Sequence, residues 1–164
     1  MAVPPERNPP DNMACPMKFL RLPILALALA LAAGTVYAFS FSAVGDEPAI
    51  LYDAPSYNGV KRFIAPAHMP VEVLFSYQDW TKVRDMAGDM AWIESRALGQ
   101  KHFVMVKTEL AQIHASPDAA SPVVFRAKRH VILEKQPSAV PGWIGVSHPD
   151  GETGFARADE VWGS

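Results

Sequence analysis

The chain states one pattern twice, so any fold it adopts has to accommodate two copies of the same unit. "FSFSAVGDEPAILYDAPS" at 39–56 aligns with "KHFVMVKTELAQIHASPD" at 101–118 at an offset of 62. Phe41 meets Phe103, Val44 meets Val106, Glu47 meets Glu109, Ala49 meets Ala111 and Pro55 meets Pro117. Downstream, "DWTKVRDMAGDMAWIESRAL" meets "GWIGVSHPDGETGFARADEV" at an offset of 63. Here Trp80 pairs with Trp143, Val83 with Val146, Gly88 with Gly151, Trp92 with Phe155 and Leu98 with Val161. One inserted residue between the two blocks accounts for the change of offset. Self-similarity of this kind marks a duplicated structural unit.

Each copy reads as β-structure. "VEVLF" (71–75) and "WTKVR" (80–84) alternate with period two and are rich in β-branched and aromatic residues, which is the pattern of a half-buried strand. "MAGD" and "PDGE" interrupt the runs, and their glycines supply the positive φ a tight hairpin needs. "ESRAL" and "ADEV" are too short for stable helices and suit a single 3₁₀ turn. Pro48, Pro55, Pro66 and Pro70 confine themselves to loops and strand ends. Two copies of about five short strands predict an all-β fold of two tandem small barrels, over 39–98 and 101–162. A unit of about 60 residues buries too little surface to be secure alone. The link Gly99-Gln100 is short, so the two copies are expected to pack as a pair.

The N-terminus reads differently. Lys18 and Arg21 precede the uncharged stretch Leu22–Val36, and Val36-Tyr37-Ala38 fits the small-x-small cleavage rule. Residues 17–38 therefore predict a helical signal peptide cleaved after Ala38. The run is shorter than the roughly 20 residues of a membrane span, so no span is expected after cleavage; the alternative is an uncleaved anchor. Residues 1–16, with five prolines, read as a disordered or mis-assigned extension ahead of the natural start at Met17. The expected location is periplasmic or secreted.

Cys15, the single cysteine, lies ahead of the apolar run, which leaves the mature chain without a disulfide framework, a thiol nucleophile or a thiolate metal site. From Phe39 on, 12 Lys and Arg stand against 15 Asp and Glu, and no basic patch stands out. That balance argues against nucleic acid as a partner. His68, His102, His114, His130 and His148 show no metal-ligand spacing, so no metal is expected. "SHPDGE" (147–152) contains Ser, His and Asp, but triad members converge from separate elements, and this stretch aligns with the turn "RDMAGD". No nucleophile elbow, phosphate loop or dinucleotide fingerprint is present. The reading is of a protein that is not an enzyme and needs no cofactor.

The repeated order resembles the bacterial SH3-like (SH3b) family. Its pattern is an opening strand, an apolar residue entering a small-Pro-Ser/Asp turn, a Trp-x-x-Val strand, a Gly-rich hairpin and an aromatic strand. Copy one supplies "LYDAPS", "WTKV" and "GDMAWIESRAL", and copy two supplies "IHASPD", "WIGV" and "GETGFARADEV". The resemblance implies tandem SH3-like barrels in an exported protein, with cell-wall glycan or peptide, or an envelope protein, as partner. "AILYDAPS" also nearly spells the Ala-Leu-Tyr-Asp-Tyr opening of eukaryotic SH3 domains. Ala54, however, replaces the second tyrosine, Glu94 and Ala97 stand where the closing Pro-Ser-Asn-Tyr motif has its proline and tyrosine, and His114 replaces Tyr52 in copy two. A groove of aromatic rings for a proline helix is thus largely dismantled.

The candidate ligand contacts are Tyr52, Tyr57, Trp80 and Trp143. If the valines of "WTKV" and "WIGV" face the core, Trp80 and Trp143 face away from it. They then form either a binding platform or a patch covered by a loop or by the other copy. Trp92 and Phe155 are expected in the core, and Asp53, Lys61 and Arg62 could rim a surface. The function expected is an envelope binding module using a shallow aromatic surface that includes Trp80 and Tyr52. The alternatives are an assembly partner of another envelope protein, and a hydrolase dependent on His148.

Overall fold

The computed structural model describes residues 40–164; the expected signal peptide and N-terminal extension lie outside the described residues. The first copy contributes β1 (Ser40–Ala43), β2 (Ala49–Tyr52), β3 (Lys61–Ala65), β4 (Pro70–Tyr77), β5 (Trp80–Arg84) and β6 (Met90–Glu94), followed by a 3₁₀ turn at Ser95–Ala97. The second contributes β7 (Phe103–Val106), β8 (Leu110–His114), β9 (Val123–Lys128), β10 (Ile132–Gln136), β11 (Trp143–Ser147), β12 (Thr153–Arg157) and β13 (Val161–Trp162). All strand pairs are antiparallel, and they form two sheets, β1-β4-β5-β6-β2-β3 and β13-β7-β10-β11-β12-β8-β9. Apart from β13, the second order repeats the first strand for strand, as the duplicated sequence requires. Even β13 has a counterpart, because the isolated bridge Val44↔Leu98 occupies the place of Val106↔Val161.

Local irregularities repeat as well. The β2–β3 ladder shifts register between Leu51 and Tyr52, and the β8–β9 ladder shifts between Ile113 and His114. His68 and His130 both adopt left-handed backbone, φ 65° and 70°. Each uses its amide to bond an equivalent carbonyl, Val44 and Val106 respectively. Gly88 and Gly151 turn the hairpins at φ 95° and 97°, a region that costs any side chain bearing a Cβ.

Alternation fills the cores. Ala49, Leu51, Val71, Val83, Ala91 and Ile93 point inward in the first sheet; Val104, Val106, Ala111, Ile113, Val146 and Ala156 do so in the second. Trp92 and Phe155 correct the expectation made for them. Both are only half-buried and belong to neither core cluster. The inward places on β6 and β12 go to Ala91, Ile93 and Ala156, and period two sends the rings to the outer face.

β7 breaks the alternation, being buried at every position. Val104 and Val106 face their own core, Met105 joins the core of the first copy, and the Phe103 ring stacks on His68 at 4.3 Å and 4°. Phe41 and Trp162 meet edge-on at 5.1 Å. A strand covered on both faces needs a continuous apolar run, and "FVMV" is one. Through these contacts the two sheets belong to one compact unit.

Candidate functional site

Trp80 opens β5 outside the core cluster, as its spacing from Val83 requires, yet it is only 6% exposed. Tyr52 presents to it edge-on at 5.2 Å and 86°, and Tyr57 covers it at 5.2 Å and 65°. Tyr57 reaches this position because the loop after β2 folds back, with Asp53 Oδ1 accepting the Val60 amide at 2.8 Å. Its hydroxyl donates to Glu94 Oε2 at 2.8 Å, and Arg96 Nε donates to the same oxygen at 2.6 Å. The Arg96 guanidinium, with help from the Tyr57 hydroxyl, holds the Glu94 carboxyl below its usual range. Donating its hydroxyl proton to Glu94 correspondingly raises the Tyr57 pKa. Tyr52 is buried as well, so the shallow surface expected around Trp80 and Tyr52 is closed. Of the three rings, Tyr57 alone is exposed, at 64%.

The second copy keeps the arrangement and removes its cover. His114 replaces Tyr52 and meets Trp143 edge-on at 5.4 Å and 83°. Its Nδ1 lies 3.0 Å from the Ser121 carbonyl; because a carbonyl only accepts, Nδ1 carries the proton. The position of Tyr57 falls on Ala119, whose methyl group cannot reach across the indole. Trp143 is therefore half-buried and lines two clefts. One, of about 510 Å³, includes Pro117, Asp118, Ala119, Arg157 and Asp159. The other, of about 650 Å³, includes Pro137, Val140, Pro141, Ile144 and Ala158. The flanking charges are inverted relative to the first copy, with Arg157 at the place of Glu94 and Asp159 at that of Arg96. Arg157 grips Asp159 through two bonds, Nε at 3.0 Å and Nη2 at 2.8 Å. That pairing holds Asp159 below the usual carboxylate range and Arg157 above its own.

Sequence comparison assigns the first copy directly, since residues 45–99 match the bacterial SH3 domain family. Over this stretch the first copy is similar to a bacterial SH3 domain. No curated protein matches the chain. Among solved structures, the chain is similar to NlpC2 from Trichomonas vaginalis at 13% identity and a TM-score of 0.36, covering 76% of this chain and 48% of that one. NlpC1 from Trichomonas vaginalis gives 12% and 0.36, over 79% of this chain and 48% of that one. An NlpC/P60 family protein from Bacillus cereus gives 16% and 0.35, over 75% and 56%. The chain thus spans about half the length of these proteins.

The first copy also carries a surface on β4, β5 and β6 that none of the expected ligand contacts reaches. Phe75, Lys82 and Trp92 occupy directly paired positions on β4, β5 and β6. Phe75 and Trp92 meet at 5.3 Å and 89°, and the Lys82 ammonium sits 5.8 Å from each ring centroid. The signal for it was available, because alternation that turns Ala91 and Ile93 inward turns Trp92 outward. Asp53, by contrast, is occupied with its own loop, while Lys61 and Arg62 lie exposed on the edge strand β3.

Among the described residues, no group of three His, Cys, Asp or Glu side chains converges as a metal site would require. "SHPDGE" forms the β11–β12 hairpin. His148 Nδ1 lies 2.8 Å from Asp150 Oδ2, and the His148 amide bonds the Glu152 carbonyl at 2.8 Å.

Proposed function

We propose that this chain is an exported, non-catalytic binding module of the bacterial cell envelope, and that it holds peptidoglycan through the Trp143 clefts of the second copy. The observation that carries the reading is the contrast between the paired tryptophans: Tyr57 seals Trp80, whereas Ala119 leaves Trp143 open between Pro141 and the Arg157–Asp159 pair. A partly exposed aromatic ring beside apolar and charged walls is the form of a binding site rather than of a core. The apolar run and small-x-small sequence ahead of residue 39 support export, and the SH3 domain supports binding as the task. Fold alone does not select the ligand.

The test is retention on isolated cell walls. Trp143→Ala should abolish retention, and Ala119→Tyr, which rebuilds the cover seen over Trp80, should do the same in a folded protein. Retention unchanged in both variants, or absent in the parent, sinks the reading. A second reading rests on β3, an edge strand that carries Ile64 at 69% exposure and directly follows Val60 at 63%. An unpaired edge of this kind suits strand addition by another envelope protein. It predicts cross-linking to one protein partner and indifference to glycan.

A further inference from the structure

We propose that the outer face of β4–β5–β6 in the first copy, centred on Lys82, binds a carboxylate-bearing polysaccharide. Three observations converge there. Phe75 is 50% exposed and stands at right angles to Trp92, so the two rings form an open corner instead of a parallel slot. Lys82 holds its ammonium against both rings. The other charged side chains of β5 and β6 are already matched, Arg84 with Glu72 and Glu94 with Arg96, while Lys82 has no acidic partner among the described residues.

A sugar ring suits this corner. Its apolar C–H face can lie on one aromatic ring while the other ring blocks one side, and a carboxylate on the ring can reach the unmatched ammonium. The two cation–π contacts tether the Lys82 ammonium near the rings, which reduces the ordering cost of meeting an anion. The alternatives fit less well. A nucleic-acid base needs a parallel stacking face and a basic field, whereas the chain carries a net charge of −2. A second copy packed on the same face about a two-fold axis would bring Lys82 against its own image. The corner belongs to the first copy alone, because Gly145 stands at the position of Lys82 in the second, where an added Cβ would meet the Pro137 carbonyl at 2.9 Å.

This surface is separate from the Trp143 clefts, and a peptide-free glycan probes it, so either proposal can fail without the other. The probe is oligogalacturonate, with its methyl ester as the uncharged control, followed by titration calorimetry and by amide shifts on β4–β6. Oligogalacturonate should bind and shift the amides of Phe75, Lys82 and Trp92, and the ester should bind roughly two- to five-fold more weakly, about one charge contact. Lys82→Gln should erase the difference between acid and ester, Lys82→Arg should retain it, and Phe75→Ala should weaken both ligands. Equal binding of acid and ester by the parent would overturn the proposal. So would oligogalacturonate affinity unchanged in Lys82→Gln, tighter binding of single-stranded DNA than of the glycan, or dimerisation through this face.

Discussion

Replacing Gly154 by alanine tests whether the second copy is packed more tightly than the first at an equivalent place. Position 154 is an inward place on β12, and its counterpart on β6 is Ala91, which is 3% exposed. A Cβ built at Gly154 would lie 2.7 Å from the His114 carbonyl oxygen and 2.7 Å from Ile113 Cγ2. Neither neighbour yields easily: one is backbone of β8, and the other belongs to a β-branched side chain with no exposure. β8 and β12 must separate by a few tenths of an ångström, next to the single Phe155↔His114 pair that joins them. Overpacking of this kind costs about 1–3 kcal/mol, and loss of glycine freedom in the unfolded chain offsets about 0.4–1 kcal/mol. A net destabilisation of about 1–2 kcal/mol should lower the melting temperature by roughly 3–10 °C. Calorimetry and urea unfolding measure this directly. Ala91→Gly is the control; it removes a buried methyl, about 0.8 kcal/mol, and adds glycine entropy, about 0.5–1 kcal/mol. Both changes should therefore destabilise, although each gives one copy the residue of the other. A Gly154→Ala protein as stable as the parent would refute the packing argument.

Removing the cover from Trp80 with Tyr57→Ala should raise acrylamide quenching of tryptophan fluorescence and cost about 1 kcal/mol, the worth of an aromatic edge contact; unchanged quenching would count against the sealed-Trp80 geometry. The Glu94 carboxyl is held below its usual range in the folded state, first by Arg96 and then by Tyr57. Its contribution is thus fully present above the unfolded value of about 4.3 and is lost as pH falls through the lower folded value. The stability gap between the parent and Glu94→Gln should accordingly stay constant from neutral pH to about 5 and close in stronger acid. Phe103→Ala removes the ring that stacks on His68 and should cost about 3–5 kcal/mol. NMR relaxation on that variant should show the two halves beginning to tumble separately, whereas in the parent they should share one correlation time.

Much of the fold was legible because strand periodicity and turn chemistry are local. The alternation of "WTKVR" fixed which residues of β5 face inward, and the glycines of "MAGD" and "PDGE" fixed the hairpins. The duplicated order of strand, turn and aromatic then required the second sheet to repeat the first. The same alternation placed Trp80 and Trp143 off the core, and applied to β6 it would have placed Trp92 there too. Its inward neighbours Ala91 and Ile93 are smaller, and size was a poorer guide than period.

Whether a tryptophan off the core meets solvent was decided only by tertiary structure. Tyr57 covers Trp80 because a loop folds back and its hydroxyl finds Glu94, 37 residues later in the chain; Ala119 has neither ring nor hydroxyl with which to do the same. The Lys82 corner likewise needs three strands in register before its charge stands beside two rings with no acidic partner among the described residues. Periodicity assigns each side chain to a face, since that depends on the backbone of its own strand. What then covers the face depends on side chains arriving from distant segments, and no local pattern records them.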